Sequence, residues 1–230
     1  VKSVSKLFNL HTHNFTSQEN ILELVNQYPW EFDEKIPLYS IGIHPWYIDE
    51  SRLSSDLKTI DEKLSLQNCL ALGECGLDKR IEIPIEIQKK VFKAQILLAE
   101  EHQKPLVLHC VVAFQEIIQI KKEQNVTVPM IIHGFSKNEQ TAKQLLDNGF
   151  YLSFGKYLLR NPELKSVFQS VPNDRFFLET DTVDESLEEV YALAANYKNI
   201  EIEEIKSIVK ANFENVFRMK MDDRPITHNL

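Results

Sequence analysis

Short apolar runs alternate with amphipathic helical segments along this chain, and that alternation restricts it to a parallel sheet built from repeated strand and helix units. Candidate strands are Ser5–Leu10, Ile21–Asn26, Leu38–Ile43, Cys69–Glu74, Leu106–His109, Val128–His133, Phe150–Phe154 and Arg175–Glu179. The second is the most ambiguous, because a run as short as Ile21-Leu-Glu-Leu-Val25 fits a helix or a strand. Helical spacing is clear at Ile87, Val91, Ala94 and Leu98. It returns at Ile205, Ile208, Val209, Asn212, Phe213, Val216 and Phe217, which mark a closing helix. Ser136 with Glu139 reads as a capping box, and Gly149 as the stop of that helix. The 230 residues fit one domain spanning 1–230, with 219–230 as a tail lacking a packing pattern. A chain of this length buries roughly 70–75% of its unfolded surface, enough for a substantial core.

Five of the apolar runs end in histidine or carboxylate: His11 and His13, Glu74, His109, His133 and Asp181. A polar group at the carboxyl end of a buried parallel strand is where α/β barrels carry chemistry, so these six potential ligands imply one shared metal site. His11 and His13 are two apart, and on an extended strand both rings project to one face and can grip one cation. The two oxygens of Glu74 can bridge two cations about 3.5–4 Å apart. Asp181 can bind metal and also take the proton of an attacking water. Each residue has a plainer reading. His-x-His occurs by chance, His109 and His133 can bond to neighbouring loops, and Glu74 can cap the next helix. Asp181 can be the N-cap of a helix starting around Asp184. Their convergence favours the metal.

Net charge is −8, with no block of lysine or arginine, which argues against a broad surface for long duplex nucleic acid. Any phosphate contact must be local, and Lys79, Arg80, Lys156 and Arg160 lie in loops near strand ends where they can supply it. Cys69, Cys75 and Cys110 are odd in number and lack Cys-x-x-Cys spacing, so a disulfide framework is not expected and a reducing compartment is. Cys75 and Cys110 directly follow Glu74 and His109, so strand alternation makes them buried thiols beside the ligands. No signal peptide and no apolar run of spanning length appears, so a cytoplasmic chain without membrane or obligate protein partners is expected.

The ordered set Ile41-Gly-Ile-His-Pro45, Leu72-Gly-Glu-Cys-Gly-Leu-Asp78, His133-Gly-Phe-Ser136 and Leu178-Glu-Thr-Asp181 resembles the TatD family of metal-dependent deoxyribonucleases, in the amidohydrolase superfamily. The resemblance runs from about Lys6 to Phe217. It implies an α/β fold, a single (β/α)8 TIM barrel open to distortion, with ligands after strands one, four, five, six and eight. It also implies two divalent ions, with zinc, magnesium and manganese as candidates. His11, His13, Glu74 and Asp181 would hold one, and Glu74, His109 and His133 the other. His44 matches a family histidine near the substrate.

Departures from the family pattern bear on the substrate. Asn9 stands where an aspartate often precedes the His-x-His pair, and the arginine often found two positions after His109 is absent, Val111 occupying that place. Asp181 is followed by Thr182-Val-Asp184 instead of a proline-containing loop. The expected activity is metal-assisted hydrolysis of phosphodiester bonds from single-stranded 3′ ends of DNA, with Asp181 and Glu74 as catalytic groups. Two alternatives stand beside it: a hydrolase of small amides, lactones or phosphoesters, and a metal-binding protein without turnover.

Overall fold

The computed structural model describes residues 6–182 and 185–221. Ser5, Val183, Asp184 and the tail beyond Met221 lie outside them. Eight strands are present among the described residues: β1 (Leu7–Thr12), β2 (Ile21–Gln27), β3 (Tyr39–Ile41), β4 (Cys69–Asp78), β5 (Leu106–Val111), β6 (Met130–Ile132), β7 (Tyr151–Phe154) and β8 (Phe176–Leu178). Eight α-helices accompany them: α1 (Leu53–Leu64), α2 (Ile85–Glu101), α3 (Phe114–Glu123), α4 (Glu139–Asp147), α5 (Lys156–Arg160), α6 (Leu164–Ser170), α7 (Leu187–Lys198) and α8 (Ile202–Phe217). No helix among the described residues is long and apolar enough to cross a membrane. The chain forms two compact units, one from residues up to Val25 together with those from His133 onward, the other from Asn26–Ile132.

In the first unit β1 runs parallel to β2, with Leu7 opposite Ile21 and Phe8 opposite Leu22, and β7 runs parallel to β8. A parallel bridge between Thr12 and Asp181 joins the end of β1 to the segment after β8. The core of this unit is aromatic. Phe8 packs edge-on against Phe177 and Phe213, at centroid separations of 6.0 and 4.7 Å, the T-shaped arrangement that ring quadrupoles favour. Buried Tyr191 satisfies its hydroxyl by donating to the Phe8 carbonyl (2.8 Å) and accepting from the Phe8 N–H (3.1 Å). Asn212 of α8 donates to the carbonyls of Asn173 and Phe176, both at 2.8 Å, fixing the entry to β8.

Helix capping in this unit corrects the sequence expectation. Asn138, rather than Ser136, caps α4, its side chain accepting from the Thr141 N–H at 2.9 Å. The helix begins at Glu139, so Asn138 holds the position from which a side chain reaches the third N–H. The capping box is instead Ser186 with Glu189, at the start of α7. Among the described residues Asp181 is the N-cap of no helix; the expected start near Asp184 lies outside them. Gly149 ends α4 as expected, at φ +78°, where a side chain would be strained.

In the second unit β3, β4, β5 and β6 pair in that order, all parallel. Its core is aliphatic, with Ile41, Leu72, Leu108 and Ile132 buried. β4 continues to Asp78, past the expected end at Glu74, because Cys75–Asp78 keep pairing with Leu108–Val111. Gly76 makes that possible: its φ is +141°, and a Cβ there would lie 2.0 Å from the His109 carbonyl oxygen. The buried stripe of α2 includes Gln88, Val91, Phe92, Gln95 and Ile96, rotated from the expected Ile87, Val91, Ala94 and Leu98. The reason is polar. Gln88 accepts from the Asp78 N–H (2.8 Å) and donates to the Asp78 carbonyl (2.9 Å), while Gln95 does the same to Ile43 at 2.7 and 3.2 Å. Two helix glutamines thus satisfy backbone groups at strand ends that burial would otherwise leave without partners.

Candidate metal centre

In the first unit, His11, His133 and Asp181 bring one ligand atom each within 4.8 Å of one another. The ladder explains the convergence: the Asp181 N–H donates to the His11 carbonyl (2.9 Å) and the His13 N–H donates to the Asp181 carbonyl (3.1 Å). The Nε2 atoms of His11 and His13 each stand 3.7 Å from Asp181 Oδ1. That is too far for a hydrogen bond. Two ligands bound at about 2.1 Å to a tetrahedral ion lie about 3.4 Å apart, so the spacing suits donors converging on a cation. Nitrogen and carboxylate donors in this mixture fit a divalent transition ion. Asp181 itself sits at φ +60°, in the left-handed region that few residues other than glycine adopt.

The surroundings hold these donors in place. Glu179 Oε1 lies 3.2 Å from His133 Nδ1 and accepts from the Gly134 N–H at 2.8 Å. A carboxylate on one imidazole nitrogen fixes the ring and leaves the other nitrogen as the ligand. Asn9 donates to the Thr180 hydroxyl (2.8 Å) and accepts from the Thr180 N–H (3.1 Å), so the residue preceding Asp181 is gripped by the amide that stands in place of the family's aspartate. Lys156 Nζ donates to Asp181 Oδ2 at 2.6 Å. Burial works to raise the Asp181 pKa, but His133, His11 and the Lys156 ammonium outweigh it and hold the carboxyl below its ordinary range. For Lys156, burial works to lower the pKa, and the bond to Asp181 overcomes it, leaving the amine above its ordinary value.

The second unit carries a second group, His44, Glu74 and His109, again with ligand atoms within 4.8 Å. Here the contacts are shorter. Glu74 Oε1 lies 3.1 Å from His44 Nε2 and 3.0 Å from His109 Nδ1. The Glu74 backbone N–H donates to the Asn26 side chain at 2.6 Å. His109 Nε2 faces Asp78 Oδ2 at 3.1 Å, the same carboxylate support that Glu179 gives His133. Burial favours a raised pKa for Asp78, but bonds from the Trp46 indole, the Arg80 N–H and His109 hold it below the ordinary value. His44 Nδ1 accepts the Trp46 N–H at 3.0 Å, which places the ring proton on Nε2, toward Glu74. A nitrogen that carries a proton offers no lone pair, so His44 stands in the donor set as a hydrogen-bond donor to Glu74.

The remaining expected residues are placed as follows. Lys79 pairs with Glu116. Arg160 Nε pairs with Glu185 at 2.8 Å, and Arg80 is exposed. Cys75 is fully buried, and burial followed by the Glu74 charge pushes its thiol well above the ordinary value, so the metal-binding thiolate is disfavoured. Cys110, expected to be buried, is only partly so. It lies near the end of β5, where the strand's last three residues lose their cover. Sequence reasoning passed over Asp78 and Glu179 as functional positions. Both were within reach of period-2 alternation, since Asp78 is four residues from Glu74 and Glu179 two from Asp181.

Eight parallel strands with intervening helices, carrying histidine and carboxylate groups at or beyond their carboxyl halves, define a metal-dependent hydrolase of the TIM-barrel class. The chain belongs to the TatD family: the family model described as TatD related DNase matches residues 2–218. The metal-dependent hydrolase YabD of Bacillus subtilis, itself uncharacterized, is 31% identical over 216 residues, covering 86% of this chain and 82% of YabD. The similarly uncharacterized hydrolase YcfH of Escherichia coli is 29% identical over 199 residues, covering 79% of this chain and 74% of YcfH. Among solved structures, the TatD homolog YJJV of Escherichia coli shares the fold with a TM-score of 0.80 at 18% identity, over 94% of this chain and 99% of that one.

Proposed function

We propose that this TatD-family hydrolase is a deoxyribonuclease that cleaves phosphodiester bonds at single-stranded 3′ ends, with two divalent ions and with His11, His13, Glu74, His109, His133 and Asp181 as their donors. The observation that carries this reading is the Asp181 carboxylate, 3.7 Å from two histidine nitrogens and anionic beside Lys156. The family's description as DNase-related supplies the substrate class. Zinc, manganese or magnesium, when bound, polarises the ester and supplies a water nucleophile at neutral pH.

The protein groups do the rest. Asp181 takes the proton of the attacking water and returns it to the leaving oxygen, a role in which a positioned carboxylate contributes about 10²–10⁴-fold. Lys156 keeps that carboxylate anionic beforehand. Glu179 and Asp78 hold His133 and His109 in the orientation their ligand role requires. His44 donates to Glu74 and is a proposed substrate contact. Lys79, Arg80, Lys156 and Arg160 are proposed phosphate contacts. All but Arg80 already have a carboxylate partner, so a phosphate would exchange with Glu116, Asp181 or Glu185.

The test is a 5′-labelled single-stranded oligonucleotide incubated with the protein and each of zinc, manganese and magnesium. Stepwise shortening from the 3′ end supports the reading, and an intact oligonucleotide with every metal sinks it. A second reading, hydrolysis of a small phosphoester, lactone or amide, is favoured by Val111 in the place of the family's arginine and by the charge of −8. Turnover in a panel of those esters and amides without DNA cleavage would select it. Metal bound with no turnover at all would select the non-catalytic alternative.

A further inference from the structure

Beside the His44, Glu74 and His109 group, the short turn Pro45–Tyr47 presents two large aromatic side chains to solvent, Trp46 at 53% exposure and Tyr47 at 44%. Both rings touch the group itself. Trp46 lies edge-on to His44 and His109, with centroids at 5.2 and 5.9 Å, and Tyr47 lies 5.6 Å from His44. They are also held rigidly. The Trp46 indole N–H donates to Asp78 at 2.7 Å, which pins one edge of the ring. Tyr47 rests edge-on against Tyr28 and Trp30, which stack on each other at 4.9 Å and 7°. Arg52 covers Trp30 at 3.9 Å, donates to the Tyr47 carbonyl at 2.8 Å and is anchored by Asp56 at 2.9 Å. Exposed rings whose rotamers are already fixed lose little entropy when a ligand stacks on them.

We propose that Trp46 and Tyr47 form a stacking subsite for the nucleobase next to the scissile phosphodiester. This rests on the deoxyribonuclease reading above. Arg52 is committed to Trp30, Asp56 and the Tyr47 backbone. It is therefore already engaged, and the hold that these two exposed rings themselves offer is base stacking. Every base has a π face, so such a platform tolerates sequence, and one stacked base is worth about 5–150-fold in affinity.

The chain has two tryptophans, and Trp30 is covered by Tyr28 and Arg52, so quenching of the exposed Trp46 reports stacking directly. The metal-loaded protein would be titrated with the single-stranded hexamer dT6, its linkages phosphorothioate to resist cleavage, and with an abasic hexamer of the same backbone. Quenching by dT6, with affinity at least about fivefold above that of the abasic hexamer, is expected. Trp46→Ala should abolish both quenching and preference, and Trp46→Phe should retain most of the preference. Equal affinity for the two hexamers, or a preference unchanged in Trp46→Ala, overturns the subsite. If Trp46→Ala loses its folded circular dichroism, Tyr47→Ala read against Trp46→Phe carries the comparison. Failure of the two readings is distinguishable. Cleavage of base-bearing and abasic strands at equal kcat/KM keeps the nuclease and removes the subsite. Base-dependent quenching without any cleavage keeps the stacking platform and removes the nuclease.

Discussion

In the unit of His11, His13, His133 and Asp181 the histidine nitrogens stand 3.7 Å from the carboxylate, whereas around Glu74 the corresponding distances close to 3.0 and 3.1 Å. The first spacing is that of donors with room for an ion, and the second is that of hydrogen bonds already made. Their supports differ as well. Asp181 lies in a short bridge after β8 at a left-handed φ, and a lysine neutralises it. Glu74 lies within a ten-residue strand, bonded through its backbone to Asn26, and Gln88 of α2 clamps the end of that strand. One group is preset by charge and the other by hydrogen bonds, so they should respond differently to substitution, metal and acid.

The largest effect is expected from Asp181→Asn. Asparagine keeps the shape but cannot take a proton, so hydrolysis at saturating metal should fall about 10²–10⁴-fold with circular dichroism unchanged. The same variant tests the charge preset. The Asp181 pKa is below its unfolded value, so the carboxylate contributes stability above an unfolded pKa of about 3.9 that is lost as pH falls through the lower folded value. Acid unfolding of the metal-free Asp181→Asn protein should lack that component. Near-wild-type rates would remove Asp181 as the base.

Next come the two supporting carboxylates. Glu179→Gln and Asp78→Asn should each weaken metal binding about 10–100-fold in a competition titration with a chelating dye. A loss from Glu179→Gln alone would mean that hydrogen bonding in the second unit does not serve metal affinity, and the comparison above would fail. A smaller and purely structural effect is expected of Gln88→Ala, which leaves the buried Asp78 N–H and carbonyl without their partner. Urea unfolding should show a loss of about 1–3 kcal/mol. The smallest effect is that of Lys156→Met. Removing an ammonium that competes for Asp181 should tighten metal binding by no more than about fivefold, given how little part-exposed ion pairs contribute. Weaker binding in this variant would show that Lys156 positions Asp181 instead of competing for it.

The eight strands were legible because apolar runs are local features of the chain, and so were the histidines and carboxylates at their ends from which the proposed donors are drawn. The second strand, ambiguous by length, forms as β2 from Ile21 to Gln27. What escaped was set by contacts distant in sequence. The continuation of β4 through Asp78 depends on Gly76 allowing the His109 backbone to approach, which no hydrophobic pattern records. The orientation of α2 is set by Gln88 and Gln95, residues that a polarity rule assigns to solvent. The pairing of Lys156 with Asp181 spans 25 residues and two elements, so the sequence offered only an isolated lysine near a strand end.

Gln95 holds both polar groups of Ile43, one residue before His44, so the position of that histidine is fixed from behind, by a helix. The turn that follows it, Pro45–Tyr47, meets that histidine from the other side, through the rings of Trp46 and Tyr47, with the Trp46 indole bonded to Asp78. A substitution at Tyr47 would change the exposed face of the turn while Gln95 still holds the backbone from which His44 projects. The backbone of His44 and the outward contacts of its ring are thus set by separate elements, so a change at the turn need not disturb the helix that positions the histidine.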